Sequence, residues 1–168
     1  MSAAFRLSRR ALLVAGSAVV SACGFELRRP PELRFRTIRL AGFKPRSPLF
    51  DELRNSINSS TTTLVVEALT QAQVVLDALT DAREKAVVAS NSVGQVTELQ
   101  LRARFGFRLR SVAGKELIPA AEIVLSRDLS YTESAALGKE QEEAFLYRTM
   151  QSDIVAQVLR RLASVHLA

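Results

Sequence analysis

Three residue types are rare or missing in this chain of 168 residues. It contains one cysteine, one histidine and no tryptophan. A single cysteine cannot form a disulfide within the chain, so the fold must depend on its core alone, even in an oxidising compartment. Because Trp is absent, the core is expected to consist mainly of Leu, Val, Ile and Ala.

The scarcity of nucleophilic and metal-binding side chains argues against an enzyme. The histidine, His166, stands two residues from the C-terminus, and the seven glycines are scattered rather than gathered in a phosphate-binding loop. No second His is present to build a metal site or a Cys/His pair. Glu140, Glu142 and Glu143 are interpreted as charges at a helix start. The sequence therefore predicts no catalytic residue, no metal and no cofactor.

The single cysteine, Cys23, follows a segment with the layout of an export signal. Arg6, Arg9 and Arg10 precede an unbroken apolar stretch, residues 11–20. That stretch has the length of a signal-peptide apolar region and about half the length that a membrane-spanning helix needs.

Residues 20–23, Val-Ser-Ala-Cys, resemble the lipobox of bacterial lipoproteins. The resemblance implies that residues 1–22 are a signal peptide and that Cys23 carries diacylglycerol and an N-acyl chain. The next residue is Gly24 rather than Asp, which in this class of protein favours the outer membrane. Residues 23–34 are then expected to be a tether, stiffened by two prolines, and residues 35–168 a single domain.

The export signal also changes how the charge of the chain is interpreted. The net charge is +6, but three of the positive charges are signal arginines with no acid among residues 1–22. Without them the domain is only mildly basic, which removes most of the case for a nucleic-acid partner.

Two segments have the pattern of amphipathic helices. Ser47-Pro48 is typical of an N-cap followed by proline at the first helical position, and Leu49, Leu53 and Ile57 would form one apolar face. From Lys139 to the C-terminus, a second helix is predicted by an apolar stripe at helical spacing: Leu146, Met150, Ile154, Val158 and Leu162, flanked by Phe145, Val155, Leu159 and Val165.

The rest of the chain is predicted to be strands: residues 35–40, 64–67, 73–89, 97–111 and 120–131, the last with Pro119 at its start. Residues 73–89 are taken as one strand with a bulge or kink at the polar step 81–85, two strands being the alternative. Strand, helix, a meander of strands and a final helix predict a two-layer α+β sandwich. Its two helices would lie on one face of a mostly antiparallel, mixed sheet of four or five strands.

Segment 97–111 alternates most clearly, with apolar residues on one face and arginines on the other: Arg102, Arg104, Arg108 and Arg110. One interpretation is a solvated strand face whose charges discourage aggregation. The other is recognition of a phosphorylated or carboxylated partner, because alternate positions place guanidinium groups about 7 Å apart. Both interpretations stay open on the sequence alone.

Several short segments follow one another in a recognisable order and spacing: Cys23–Arg28, Thr37–Leu40, Pro48–Ser56, the hairpin around Asn91–Gln95, Arg127–Tyr131, Leu137–Glu140, and the final helix with Met150, Asp153 and Arg160-Arg161-Leu162. They span nearly all of the chain after residue 22, and together they resemble the LptE family of lipoproteins involved in lipopolysaccharide export.

The resemblance implies an α/β sandwich that plugs the outer-membrane β-barrel LptD, binds lipopolysaccharide and helps deliver it to the outer leaflet. In this family a lysine just before the C-terminal helix is implicated in lipopolysaccharide binding, and Lys139 occupies that place. A companion basic residue at the long hairpin tip corresponds to about Ser92, which is not basic. Arg102 or Arg104 are the predicted replacements if their face is left open.

Two other functions remain as alternatives. The first is a different outer-membrane α/β lipoprotein that assists a cell-wall enzyme or a secretion complex. The second is a periplasmic hydrolase with a carboxylate site.

Overall fold

The computed structural model describes residues 31–132 and 136–166. Within them the chain forms, in order, β1 (Thr37–Ala41), α1 (Pro48–Asn58), β2 (Leu64–Val65), a 3-10 turn (Leu69–Gln71), β3 (Val74–Ser90), β4 (Val96–Ser111), β5 (Glu116–Ser130) and α2 (Ala136–Ala163). The predicted fold class is confirmed: two helices and one five-stranded mixed sheet.

The strands lie in the order β2-β1-β3-β4-β5. β1 pairs in parallel with both β2 and β3, whereas β3, β4 and β5 form an antiparallel meander. The parallel pairing of β1 with β2 requires a crossover, and α1, which lies between them in the chain, supplies it. The three long strands therefore make up most of the sheet.

β4 is the central strand of the meander, and its alternating pattern is confirmed. The six residues predicted for one face are all buried: Leu99, Leu101, Ala103, Phe105, Phe107 and Leu109. Both helices contribute to the same buried cluster, so they cover this face of the sheet. We call it the helix face, and the opposite one the open face.

α1 begins as the sequence predicts. The Ser47 hydroxyl accepts a hydrogen bond from the Phe50 amide at 3.2 Å, and Leu49, Leu53 and Ile57 are all buried. Pro48 occupies the first helical turn, where its missing amide proton costs nothing.

α2 begins and ends earlier than predicted. It starts at Ala136, three residues before Lys139, and ends at Ala163 rather than at the C-terminus. Met150, Ile154 and Leu162 of the predicted stripe are buried, but Phe145 is 59% exposed. The stripe identifies the buried face, whereas the helix ends depend on residues outside it.

β3 is one strand, as favoured, but its irregularities lie on either side of the polar step rather than within it. The pairing with β4 shifts register between Ala78 and Thr80 and again after Val87. Leu79 is therefore an extra residue relative to β4, and it is 50% exposed. A bulge of this kind moves all later side chains to the opposite face.

β5 starts at Glu116, so the prediction of a start after Pro119 was wrong. The pairing with β4 shifts by one residue between Ile118 and Ala121, which places Pro119 in a bulge of a strand at the edge of the sheet. A proline is tolerated there because no ladder hydrogen bond is needed from it.

Leu33, within the predicted tether, is 5% exposed and belongs to the core cluster. Cys23 and the rest of the predicted signal and tether up to residue 30 lie outside the described residues. Across residues 31–132 and 136–166, neither helix is long and apolar enough to cross a membrane.

Candidate functional site

The arginines of β4 lie on the open face, as predicted, but acids of the neighbouring strands compensate them. Arg104 contacts Glu84 of β3 at 3.3 Å and Glu122 of β5 at 3.0 Å. Arg102 lies 3.8 Å from Glu84 and donates to the Gln100 side chain at 3.1 Å. Arg102 and Arg104 therefore share Glu84, and Arg104 also pairs with Glu122.

Arg108 and Arg110 form the second part of this charged row. Both donate to the Asp77 carboxylate, at 3.0 Å and 2.8 Å. The pKa of Asp77 is lowered, because the hydrogen bond from Arg110, aided by that from Arg108, outweighs the opposing effect of burial. The carboxylate is therefore held charged between the two guanidinium groups.

The open face is thus a row of ion pairs rather than a row of isolated cations. Arg102 and Arg104 keep 46% and 39% of their side-chain area exposed, so both remain accessible from solvent. An anionic ligand there would compete with Glu84 and Glu122. The role of these two arginines in lipopolysaccharide binding stays a prediction.

Lys139 lies in the first turns of α2, beside the end of β5. Its ammonium group donates to Glu142 at 2.8 Å and to the Ser130 hydroxyl at 3.3 Å, and its side chain is 20% exposed. Ser130 pairs with Glu98 of β4, four residues from Arg102. Four residues of strand span about 13 Å. The three predicted binding residues therefore do not form a single cluster.

Sequence reasoning missed a second polar row, on the helix face of β3. After the bulge at Leu79, alternate residues Asp81, Arg83 and Lys85 lie opposite the buried Phe105, Ala103 and Leu101 of β4. They therefore project toward the helices. The only signal in the sequence was their period-two spacing within an apolar strand.

Each member of this row contacts a helix or its cap. Asp81 accepts a hydrogen bond from the Ser47 hydroxyl at 2.7 Å. Lys85 pairs with Glu143 of α2 at 2.9 Å, and this hydrogen bond raises the pKa of the lysine. Arg83 donates to the Gln151 side chain at 2.6 Å.

The Gln151 amide extends this network to α1. It donates to the Glu52 carboxylate at 2.6 Å and to the Pro48 carbonyl at 3.2 Å. Ser152 donates to the other Glu52 oxygen at 2.6 Å. In the described residues, every buried side-chain nitrogen or oxygen has a hydrogen-bond partner.

Tyr147 lies at the junction of β3 and α2. Its hydroxyl donates to the Glu84 carbonyl at 2.7 Å, and the Arg83 guanidinium lies 5.3 Å from the centre of its ring. The pKa of Tyr147 is raised, first by burial and then by the nearby Glu143 carboxylate. The tyrosine therefore acts as a neutral donor and as a stacking surface.

In the part of the chain that the structure describes, no group of three or more His, Cys, Asp or Glu side chains is arranged to hold a metal ion. His166 is exposed, with its ring Nδ1 3.0 Å from the Ser164 carbonyl.

The described residues thus form a two-layer α+β sandwich with ion pairs on one sheet face and a polar row beneath its helices. The chain belongs to the LptE family, described as lipopolysaccharide-assembly, whose model matches residues 35–162. No match was found among curated proteins.

Solved lipoprotein structures share this fold. Uncharacterized lipoprotein B from Nitrosomonas europaea is 30% identical, with 84% of this chain and 91% of that chain covered at a TM-score of 0.71. Rare lipoprotein B from Shewanella oneidensis is 21% identical, with 77% and 95% covered at a TM-score of 0.65. A minor lipoprotein from Acinetobacter baumannii is 15% identical, with 82% and 100% covered at a TM-score of 0.62.

Proposed function

We propose that this protein is an outer-membrane lipoprotein that binds lipopolysaccharide and plugs or assists the LptD β-barrel as lipopolysaccharide is assembled into the outer leaflet. The observation that carries the proposal is the family match over residues 35–162, nearly the whole described domain. The role is one of binding and positioning rather than of catalysis.

The proposed anchor is Cys23, acylated and held at the periplasmic side of the outer membrane. Each buried CH₂ of an acyl chain contributes about 0.8 kcal/mol, so several chains together give stable anchoring. Leu33 is packed into the core, so the segment between the anchor and the domain is short. Such a tether would keep the domain close to the membrane and to a barrel within it.

The compensated open face suits the interior of a barrel. The lumen of an outer-membrane barrel is polar, in contrast to its lipid-facing surface. A face of ion pairs, with Arg104 between Glu84 and Glu122, offers both donors and acceptors to such a wall. It does so with little net charge.

Co-purification tests the partnership. Full-length protein carrying a C-terminal tag, extracted from outer membranes in mild detergent, is expected to bring down a large β-barrel protein. Depletion is expected to reduce lipopolysaccharide at the cell surface. Recovery of a cell-wall enzyme without a barrel would instead favour the accessory-lipoprotein alternative.

Lys139→Glu is expected to weaken lipopolysaccharide binding about tenfold, because a charge-assisted hydrogen bond donor is lost and an acid takes its place. The substitution removes the ion pair with Glu142, but an acid is favourable in the first turn of a helix, so we expect the fold to remain intact. Affinity of the purified full-length protein in detergent, measured by surface plasmon resonance, checks the result.

Lys115→Glu provides the matched control for this charge reversal. Lys115 lies in the exposed turn between β4 and β5, at the other end of the sheet from the Ser130 end of β5. We expect it to leave the affinity unchanged. An unchanged affinity for the Lys139 variant would contradict the assigned role of that lysine.

A further inference from the structure

A groove lies on the helix face, between β3 and the first turns of α2. It has a volume of about 390 Å³ and is lined by Arg83, Lys85, Glu140, Glu143, Ala144 and Tyr147. We call it the β3–α2 groove. Its volume falls within the range of sites that hold small molecules or parts of larger ligands. Neither Arg102 nor Arg104, which lie on the open face, lines it.

Arg83 differs from the arginines of the open face because it forms no described ion pair, although Glu140 and Glu143 line the same groove. Arg102, Arg104, Arg108 and Arg110 each lie within 4.0 Å of a carboxylate, whereas no described carboxylate pairs with Arg83. Its polar partner is the neutral Gln151 amide, at 2.6 Å. Arg83 is exposed, so its guanidinium can be reached by an anionic ligand from solvent.

The Arg83 guanidinium is also held in a fixed orientation. It lies over the Tyr147 ring at 5.3 Å and donates through Nη2 to Gln151, which is itself bound to Glu52. A guanidinium has five N–H donors, so donors remain for a ligand. Two parallel donors match the geometry of a phosphate or carboxylate group. A site prepared in this way loses little side-chain entropy on binding.

Lys85 supplies a second cation to the groove. It lies two residues beyond Arg83 on the same face of β3, about 7 Å along the strand. Its described ion pair is with Glu143, and 48% of its side chain stays exposed. An anion that reaches both residues would meet one guanidinium without a described ion pair and one half-exposed ammonium, for which it would compete with Glu143.

Beyond Lys85 the same face of β3 becomes apolar. Val87, two residues beyond Lys85 on that face, is 56% exposed. Two cations followed along one strand face by an exposed apolar side chain match a ligand with an anionic head and a hydrocarbon part. Free phosphate would use only the first half of this surface.

We propose that the β3–α2 groove binds a phosphate group of an amphipathic lipid, with Arg83 as the bidentate donor, Lys85 as the second cation and Tyr147 as the platform that orients Arg83. The inference rests on the proposed function and deepens it, because it places a phosphate of the bound lipopolysaccharide beneath the helices. Lys139 lies one turn of α2 before Glu143, which lines the groove.

The test is a double comparison of protein and ligand. The full-length protein in detergent and its Arg83→Gln variant are each titrated with lipopolysaccharide and with lipopolysaccharide from which the lipid A phosphates have been removed. Wild type is expected to lose at least tenfold in affinity when the phosphates are removed, and the variant is expected to bind both forms equally weakly. Arg54→Gln, at an exposed position on α1, is the charge-matched control and should behave as wild type.

A purely structural role for Arg83 predicts a different result: the variant would lose affinity for both ligands by the same factor and would keep the dependence on phosphate. That result overturns the proposed phosphate site in the groove and leaves the proposed function in place.

If the wild-type protein binds no lipopolysaccharide, a second measurement tests phosphate binding in the groove independently of the proposed function. The ¹⁵N resonance of the Arg83 side chain is followed as inorganic pyrophosphate is added. A saturating shift at Arg83 that is absent at Arg54 supports the phosphate site by itself. Equal small shifts at both arginines, or none, overturn it.

Discussion

Replacing Phe105 by alanine is expected to cost about 3–5 kcal/mol of folding free energy, the range for removal of a fully buried aromatic side chain. Phe105 is 0% exposed and lies inside a row of rings. It stacks on Phe43 at 5.7 Å and on Phe107 at 5.6 Å, and Phe43 meets Phe50 of α1 edge-on at 5.3 Å. Its loss would leave a cavity where the sheet meets α1.

Two further features make collapse of that cavity unfavourable. Phe105 pairs with Asp81 on β3 and with Ile123 on β5, so its backbone is fixed by hydrogen bonds on both sides. Asp81 is also held by the Ser47 hydroxyl, which caps α1. Relaxation of the neighbouring rings would therefore disturb the helix cap as well.

Thermal unfolding followed by circular dichroism checks this expectation. For a domain of this size, the loss corresponds to a fall in Tm of roughly 10 °C or more. Phe145→Ala is the matched control, because the same atoms are removed from a side chain that is 59% exposed. Its Tm should change by no more than about 2 °C. Similar losses in the two variants would show that the ring row does not stabilise the fold as argued.

The buried half of the fold was accessible from sequence because periodicity reports burial directly. Apolar residues occupy every second position from Leu99 to Leu109, and Leu49, Leu53 and Ile57 repeat at helical spacing. All of these apolar side chains are buried. Such patterns need no knowledge of which strand is the neighbour. The fold class follows from their order along the chain.

The compensation of the arginines could not be predicted in the same way, because it depends on one extra residue. Asp77 and Glu84 are seven positions apart, and an unbroken strand would place them on opposite faces. The bulge at Leu79 brings both to the open face, opposite Arg108 and Arg102. Nothing in the sequence around Leu79 identifies it as the bulged residue.

The same bulge explains why the polar row beneath the helices was missed. Asp81, Arg83 and Lys85 occur in the step that the sequence predicts as a kink, where polar residues are expected at the surface. The structure turns them toward Ser47, Gln151 and Glu143, although Arg83 and Lys85 stay exposed. Those partners lie 34 to 68 positions away along the chain, beyond the reach of any local pattern.

Gly42→Ala is the second substitution with a large expected effect, about 3 kcal/mol or more, and it tests the geometry at this bulge. Gly42 follows β1 with a φ of +79°, which L-residues rarely adopt. A Cβ there would also collide with the carbonyl oxygen of Ala78, the residue just before the extra Leu79. Strain at positive φ costs roughly 1–2 kcal/mol, and displacement of a paired backbone adds to it.

Gly114→Ala separates the two contributions. Gly114 has a φ of +91° in the turn between β4 and β5, but an added Cβ meets nothing within 4 Å. We therefore expect the strain alone, roughly 1–2 kcal/mol, in urea unfolding of this control. The additional loss in the Gly42 variant measures how firmly β1 is held against the bulged part of β3. Equal losses at the two glycines would mean that the bulge moves aside, and that the register bringing Asp77 and Glu84 to one face is weakly fixed.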